Sequence, residues 1–288
     1  MSAIINKHLV VEYFRSMQKI LIPTDFSDTA RAAVRYAQKY VASTDTEYYI
    51  LHAYKQPETT EMLISIVDIL KEEADKLLNE ESHFLQKELH IPSSKIYLMS
   101  GLGEVEDMVQ YYVDKHQIDL VVMGTSGASG IKEFLVGTNT VNTIGKVSVP
   151  VLAIPQMKHD VYLDTIVLAL DNEGLQDEKR LQVVKKIADE NDAEIVVLNV
   201  SSSGEEPFCF SVQQQNTLKK FFSRMDIECI SVHGKNVEEE INNFVADNEV
   251  GMIVLLPRKM SLMQRLFGKK SVTKKINFHS KVPVLSIG

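Results

Sequence analysis

The 288-residue chain is 44% hydrophobic and 24% charged, with 13 glycines and 8 prolines, a composition that reads as a soluble globular protein. That length suits one large domain or two ordinary ones, and a formal net charge of -8 argues against general nucleic-acid binding. No apolar run approaches the roughly 18 residues a membrane span needs, and the two cysteines, Cys209 and Cys229, lack metal-ligand spacing, which fits a reducing cytoplasm.

Residues 1–16 mix Lys7, His8, Glu12 and Arg15 with apolar positions, so they read as an extension and not as a signal peptide. Lys19-Ile20-Leu21-Ile22-Pro23 is a short apolar strand closed by Thr24-Asp25-Phe26-Ser27. Ser27 or Asp28 caps a helix carrying Ala30, Ala33, Val34 and Ala37 at helical spacing. A second strand covers Tyr48 to Tyr54, and a long helical stretch runs from Glu58 to Leu89. Lys95 to Met99 is a third strand, with Gly101 and Gly103 as its terminating turn, and Val105 to Lys115 is the next helix. His52, inside an apolar strand, reads as a satisfied core histidine.

The fourth strand, Leu120 to Gly124, empties into Gly124-Thr125-Ser126-Gly127. Nine residues later, Gly137-Thr138 opens a helical segment, and a fifth strand covers Val149 to Ile154. A buried strand leading into a glycine-bounded loop and a helix start suits an anion: glycine lets backbone approach a phosphate, and exposed N–H groups face it. No lysine stands at the helix start, and no base or arginine is placed for phosphoryl transfer.

The second half repeats the first. Ile166 to Asp171 mirrors Ile20 to Asp25, Glu194 to Val200 mirrors the strand with Leu51-His52-Ala53, and Ile230 to Gly234 mirrors Ile96 to Gly101. Met252 to Leu256 mirrors the fourth strand, and Val282 to Ile287 is almost a copy of Val149 to Ile154. The helical segment between the repeat's second and third strands is shorter, and the loop glycines are gone, leaving only Gly268 after Leu256. From Arg258 to the end there are eight basic residues and no acidic ones. Lys259-Met260-Ser261 matches a synthetase signature without its partner motif and is set aside as coincidence. The expected layout is an extension (1–16), a first domain (17–155), a linker (156–164) and a second domain (165–288). Alternating strands and helices predict an α/β fold of two repeated, doubly wound, Rossmann-like domains, each with a five-stranded parallel sheet.

Three features together resemble the universal stress proteins: Pro23-Thr24-Asp25-Phe26-Ser27, Leu51-His52-Ala53, and the spacing Gly124-x2-Gly127-x9-Gly137-Thr138. The glycine spacing is that of the family's ATP-binding branch. The resemblance implies an adenine nucleotide alpha hydrolase-like fold with strand order 3-2-1-4-5, which puts the ligand crevice between strands one and four. It implies that Asp25 contacts the adenosine moiety, with Pro23, Thr24, Ala53 and Met123 beside it. Gly124, Thr125, Gly127, Gly137, Thr138 and Asn139 would hold ribose and phosphates, and the hydroxyls of Thr138 and Thr140 would reach phosphate or a metal. The implied ligands are ATP and Mg2+, the latter carried on the phosphates without direct protein ligation, and no catalytic residue is assigned.

The function so implied is ATP-dependent regulation in stress response through a protein partner or self-association, with little or no hydrolysis, in the cytoplasm. The alternative is a nucleotide-free interaction scaffold whose basic C-terminal segment serves as a partner or anion site. A ligase or sulfur-transfer enzyme of similar fold is disfavoured, because no Ser-Gly-Gly-x-Asp loop follows strand one. The two Val-Pro-Val-Leu strands imply an intrachain pseudo-dimer, through Val149–Ile154 and Val282–Ile287.

Overall fold

The computed structural model describes residues 18–56, 63–125, 137–157, 161–170, 178–202, 210–223, 225–234, 237–256 and 280–288. Gly127, Cys209 and the basic segment up to Lys275 lie outside the described residues.

The first half alternates strands and helices: β1 Lys19–Pro23, α1 Asp28–Tyr40, β2 Glu47–Tyr54, α2 Leu63–Glu88, β3 Ile96–Leu102, α3 Val105–His116, β4 Leu120–Gly124, α4 Thr138–Ile144 and β5 Val151–Ile154. The second half continues with β6 Thr165–Leu170, α5 Glu178–Asn191, β7 Glu194–Ser202, α6 Val212–Phe221, β8 Ile227–Gly234, α7 Val237–Asp247, β9 Met252–Leu255 and β10 Val284–Ser286. Helix α1 starts where the Ser27 side chain accepts the Ala30 N–H, so Ser27, and not Asp28, is the cap.

The five strands expected of each half do not stay apart, and they meet at the two Val-Pro-Val-Leu segments. All ten strands join one sheet in the order β3-β2-β1-β4-β5-β10-β9-β6-β7-β8. Every pairing is parallel except that of β5 with β10, which is antiparallel with Val284 opposite Ala153 and Ser286 opposite Val151. A strand left at an edge exposes unpaired N–H and C=O groups, and here each of these two covers the other. Outward from that central pair, the five strands of each half follow the same sequence-relative order.

Side-chain alternation along each strand divides the interior into two layers. Ile20, Ile22, Leu120 and Val122 pack with α1 (Ala33, Val34, Ala37) and α2 (Leu78, Leu85). Leu21, Leu51, Val121 and Met123 face the other way, onto Val109 and Val113 of α3 and Val141 and Ile144 of α4. Both layers continue into the second half, through Leu168 and Val254 on one side and Val167 and Ile253 on the other.

Gly101 does not end β3. It lies within the strand opposite Ala53, and an added Cβ would come within 2.6 Å of the Met108 sulfur. Gly103, at φ +151°, follows the strand and donates its N–H to the Tyr54 carbonyl at 2.9 Å.

Candidate functional site

β1 pairs with β2 on one side and β4 on the other, so strand order reverses between β1 and β4. In an open α/β sheet that reversal leaves a crevice beyond the strand ends. A cavity of about 530 Å³ opens there, within the range of small-molecule sites.

The turn after β1 is held by a dense set of hydrogen bonds. The Thr24 N–H donates to the Leu51 carbonyl at 2.8 Å, and its hydroxyl oxygen accepts the Phe26 N–H at 2.9 Å. Asp25 Oδ1 accepts the Ser27 N–H at 3.1 Å, an Asx turn that sets up the α1 cap. Phe26 adopts φ +64°, sparsely populated for a bulky side chain and kept only where its surroundings over-determine it.

Across the crevice, the end of β4 is built for close approach. A Cβ on Gly124 would lie 2.9–3.0 Å from Thr29 atoms, two of them backbone, so glycine there lets β4 pack on the first turn of α1. A Cβ on Gly137 would lie 2.6 Å from the Thr125 carbonyl oxygen, which the Gly137 N–H also meets at 2.6 Å. Thr125 is buried, and its N–H donates to the Ile154 carbonyl at 2.9 Å. The Thr140 hydroxyl donates to the Gly124 carbonyl at 3.2 Å, tying α4 to β4.

Eleven of the twelve predicted contact residues line this cavity: Pro23, Thr24, Asp25, Ala53, Met123, Gly124, Thr125, Gly137, Thr138, Asn139 and Thr140. The twelfth, Gly127, lies outside the described residues. Two predicted donors are engaged within the protein: the Gly137 N–H meets Thr125 and the Thr140 hydroxyl proton meets Gly124. The N–H groups of Thr138 and Asn139 have no partner among the described residues, as expected for the first turn of a helix.

The cavity also has walls that sequence reasoning missed: Ala30, Leu51, His52, Lys55 and Val105. The signal for Lys55 was present, because Leu51, Ala53 and Lys55 alternate along β2 and beyond its end. Its ammonium pairs with Glu104 Oε2 at 2.6 Å, both side chains being more than half exposed. Such a surface pair contributes at most about 1 kcal/mol and exchanges readily. His52 Nδ1 lies 2.8 Å from the Thr24 carbonyl, so the histidine is satisfied as expected and is also part of the cavity wall. Among the described residues no group of His, Cys, Asp and Glu is placed to hold a metal ion, and no helix is long and apolar enough to cross a membrane.

Residues 17–155 match the universal stress protein family. The stretch is similar to the universal stress protein MJ0577 of Methanocaldococcus jannaschii, 27% identical over 152 residues, spanning 48% of this chain and 94% of that one. A second relative from that organism, the universal stress protein MJ0531, is 28% identical over 150 residues, spanning 50% of this chain and 85% of its own. A solved universal stress protein from Archaeoglobus fulgidus is similar over 93% of this chain and 95% of its own, with a TM-score of 0.67 at 17% identity. That likeness shows the fold. The matched stretch contains the whole crevice described here, from β1 to β5.

Proposed function

We propose that the cavity takes an adenine nucleotide, ATP with Mg2+ on its phosphates, and that the protein holds it with little or no hydrolysis. Occupancy would alter contacts with protein partners or a second copy in a stress response. The observation that carries this reading is the convergence of Asp25 from β1 with Gly124, Thr125 and the Gly137–Thr140 segment from around β4 on one cavity. Asp25 then meets the adenosine moiety, Pro23, Thr24, Ala53 and Met123 form its walls, and the N–H groups of Thr138 and Asn139 face phosphate. Mg2+ supplies the charge balance that the site's own charged groups, Asp25 and a Lys55 already paired with Glu104, do not. Among the described cavity residues there is no arginine, and the single carboxylate, Asp25, is assigned here to the adenosine moiety, which supports slow or absent hydrolysis.

We also read the chain as a tandem of two such domains. The β5–β10 pairing acts as the pseudo-dimer contact, and the second domain lacks the loop glycines, leaving one nucleotide site per chain. Denaturing the purified full-length protein should release adenine absorbance and mass, and a Mg-ATP titration should give one site per chain. Asp25→Ala and Gly127→Val should each weaken binding by about tenfold or more. Equal affinity in the wild type and both variants overturns the site assignment, and turnover at about 1 s⁻¹ or above overturns retention without hydrolysis.

A specific observation favours a second reading, the nucleotide-free scaffold. Packing alone explains glycine at 124 and 137, without any ligand. A folded protein that carries no adenine and shows no Mg-ATP binding supports it. The basic segment is then the candidate partner or anion site, and Lys269→Glu with Lys270→Glu should lower its polyanion affinity.

A further inference from the structure

His52 does more than satisfy itself in a strand. A carbonyl oxygen only accepts, so the 2.8 Å contact with Thr24 requires the proton on Nδ1. The ring centroid also stands 4.6 Å from that of Phe26, the residue held at φ +64°. One side chain therefore grips the turn that carries Asp25 at two points, the carbonyl before Asp25 and the ring after it.

The second half makes the same bond with a different residue. Leu51 pairs with Pro23 and Leu198 with Ala169, so Asn199 stands to Leu170 as His52 stands to Thr24. Asn199 Nδ2 donates to the Leu170 carbonyl at 2.9 Å from a buried position. Histidine Nδ1 and asparagine Nδ2 occupy nearly the same place relative to Cβ. The common requirement is an N–H aimed at a carbonyl where the first strand of each half ends, at Thr24 just past β1 and at Leu170, the last residue of β6, and the ring against Phe26 is the addition made where the cavity lies.

We propose that His52 is a positioning residue for the nucleotide: its Nδ1–H holds the Thr24 carbonyl and its ring holds Phe26, together fixing Asp25 at the cavity wall. This rests on the nucleotide reading above. Asparagine at 52 keeps the N–H, leucine keeps bulk without it, and neither removes a group that touches the ligand through the β4 loop.

The test is calorimetric titration of the full-length wild type, His52→Asn and His52→Leu with Mg-ATP and separately with adenosine, alongside thermal melting. His52→Asn, which keeps the N–H and loses the ring against Phe26, should fall between the wild type and His52→Leu, and His52→Leu should lose about tenfold or more for both ligands. His52→Leu within threefold of the wild type, or His52→Asn falling as far as His52→Leu, overturns the inference. A wild type that binds neither ligand overturns the nucleotide reading itself, and this one with it. If His52→Leu does not fold, the wild-type imidazole 15N shifts decide: Nδ1–H is expected, and the opposite tautomer overturns the proposal.

Discussion

Gly124 and Gly137 show how one residue type serves two ends. Each looked from sequence like a phosphate contact, and each proves necessary to packing, with added Cβ atoms 2.9 and 2.6 Å from the nearest atoms. Gly124→Ala and Gly137→Ala should each cost about 1–3 kcal/mol in denaturant unfolding, with no nucleotide present. Gly145→Ala is the control: its Cβ would meet nothing closer than 3.5 Å, so stability should change by less than about 1 kcal/mol. His116 adds a pH dependence. Burial, then the Lys115 and Lys19 charges, hold its imidazole below the ordinary histidine range. A depressed folded-state value means the unfolded chain takes the proton first as pH falls. The contribution is full above the unfolded value of about 6.5 and is lost on acidification through the folded one. His116→Phe should flatten the fall in stability on acidification below about pH 6.5, measured by urea unfolding as pH is lowered.

Among elements, α1 does the most joining. Its first turn meets Gly124 at the cavity, and Arg31 reaches α2 to pair with Glu81 at 2.9 Å, a carboxylate side chain only 2% exposed. Further along, the Tyr40 hydroxyl donates to the Val161 carbonyl at 3.0 Å, and the Tyr40 carbonyl accepts from Asn191 of α5 at 2.9 Å. Arg31→Ala leaves that buried carboxylate without its cation and should cost about 2 kcal/mol in thermal or urea unfolding, while Arg31→Met with Glu81→Met should recover most of it. Strands and helices were largely legible: β1 and β4 have their predicted bounds, because a short apolar run closed by proline or glycine has few alternatives. The end of β3 was not. Glycine at 101 read as a stop, yet it lies within the strand, where α3 lays Met108 against it. Nor did the sequence reveal that Phe26 takes a positive φ, since no local pattern marks a bulky residue forced there by its neighbours.

At the scale of the molecule, the two halves share one sheet and two continuous apolar layers. Leu285, fully buried in β10 opposite Leu152, marks the seam. Leu285→Asp should destabilise both halves together by about 3 kcal/mol or more, read as one shifted transition in circular dichroism and calorimetry. Separate transitions, with the first half unmoved, would show that the seam does not couple them. Sequence alone determined the alternation of strands and helices, the matched apolar runs of the two halves and most of the residues that line one crevice. Periodicity and turn chemistry are local, and strand order follows from a family pattern carried by a few motifs. Only the tertiary structure decided that β5 and β10 close one ten-stranded sheet, that Lys55 and His52 belong to the cavity wall, and that the two loop glycines answer first to packing. Those outcomes depend on which atoms from distant parts of the chain come within about 3 Å of one another, and no spacing within a single segment carries that information.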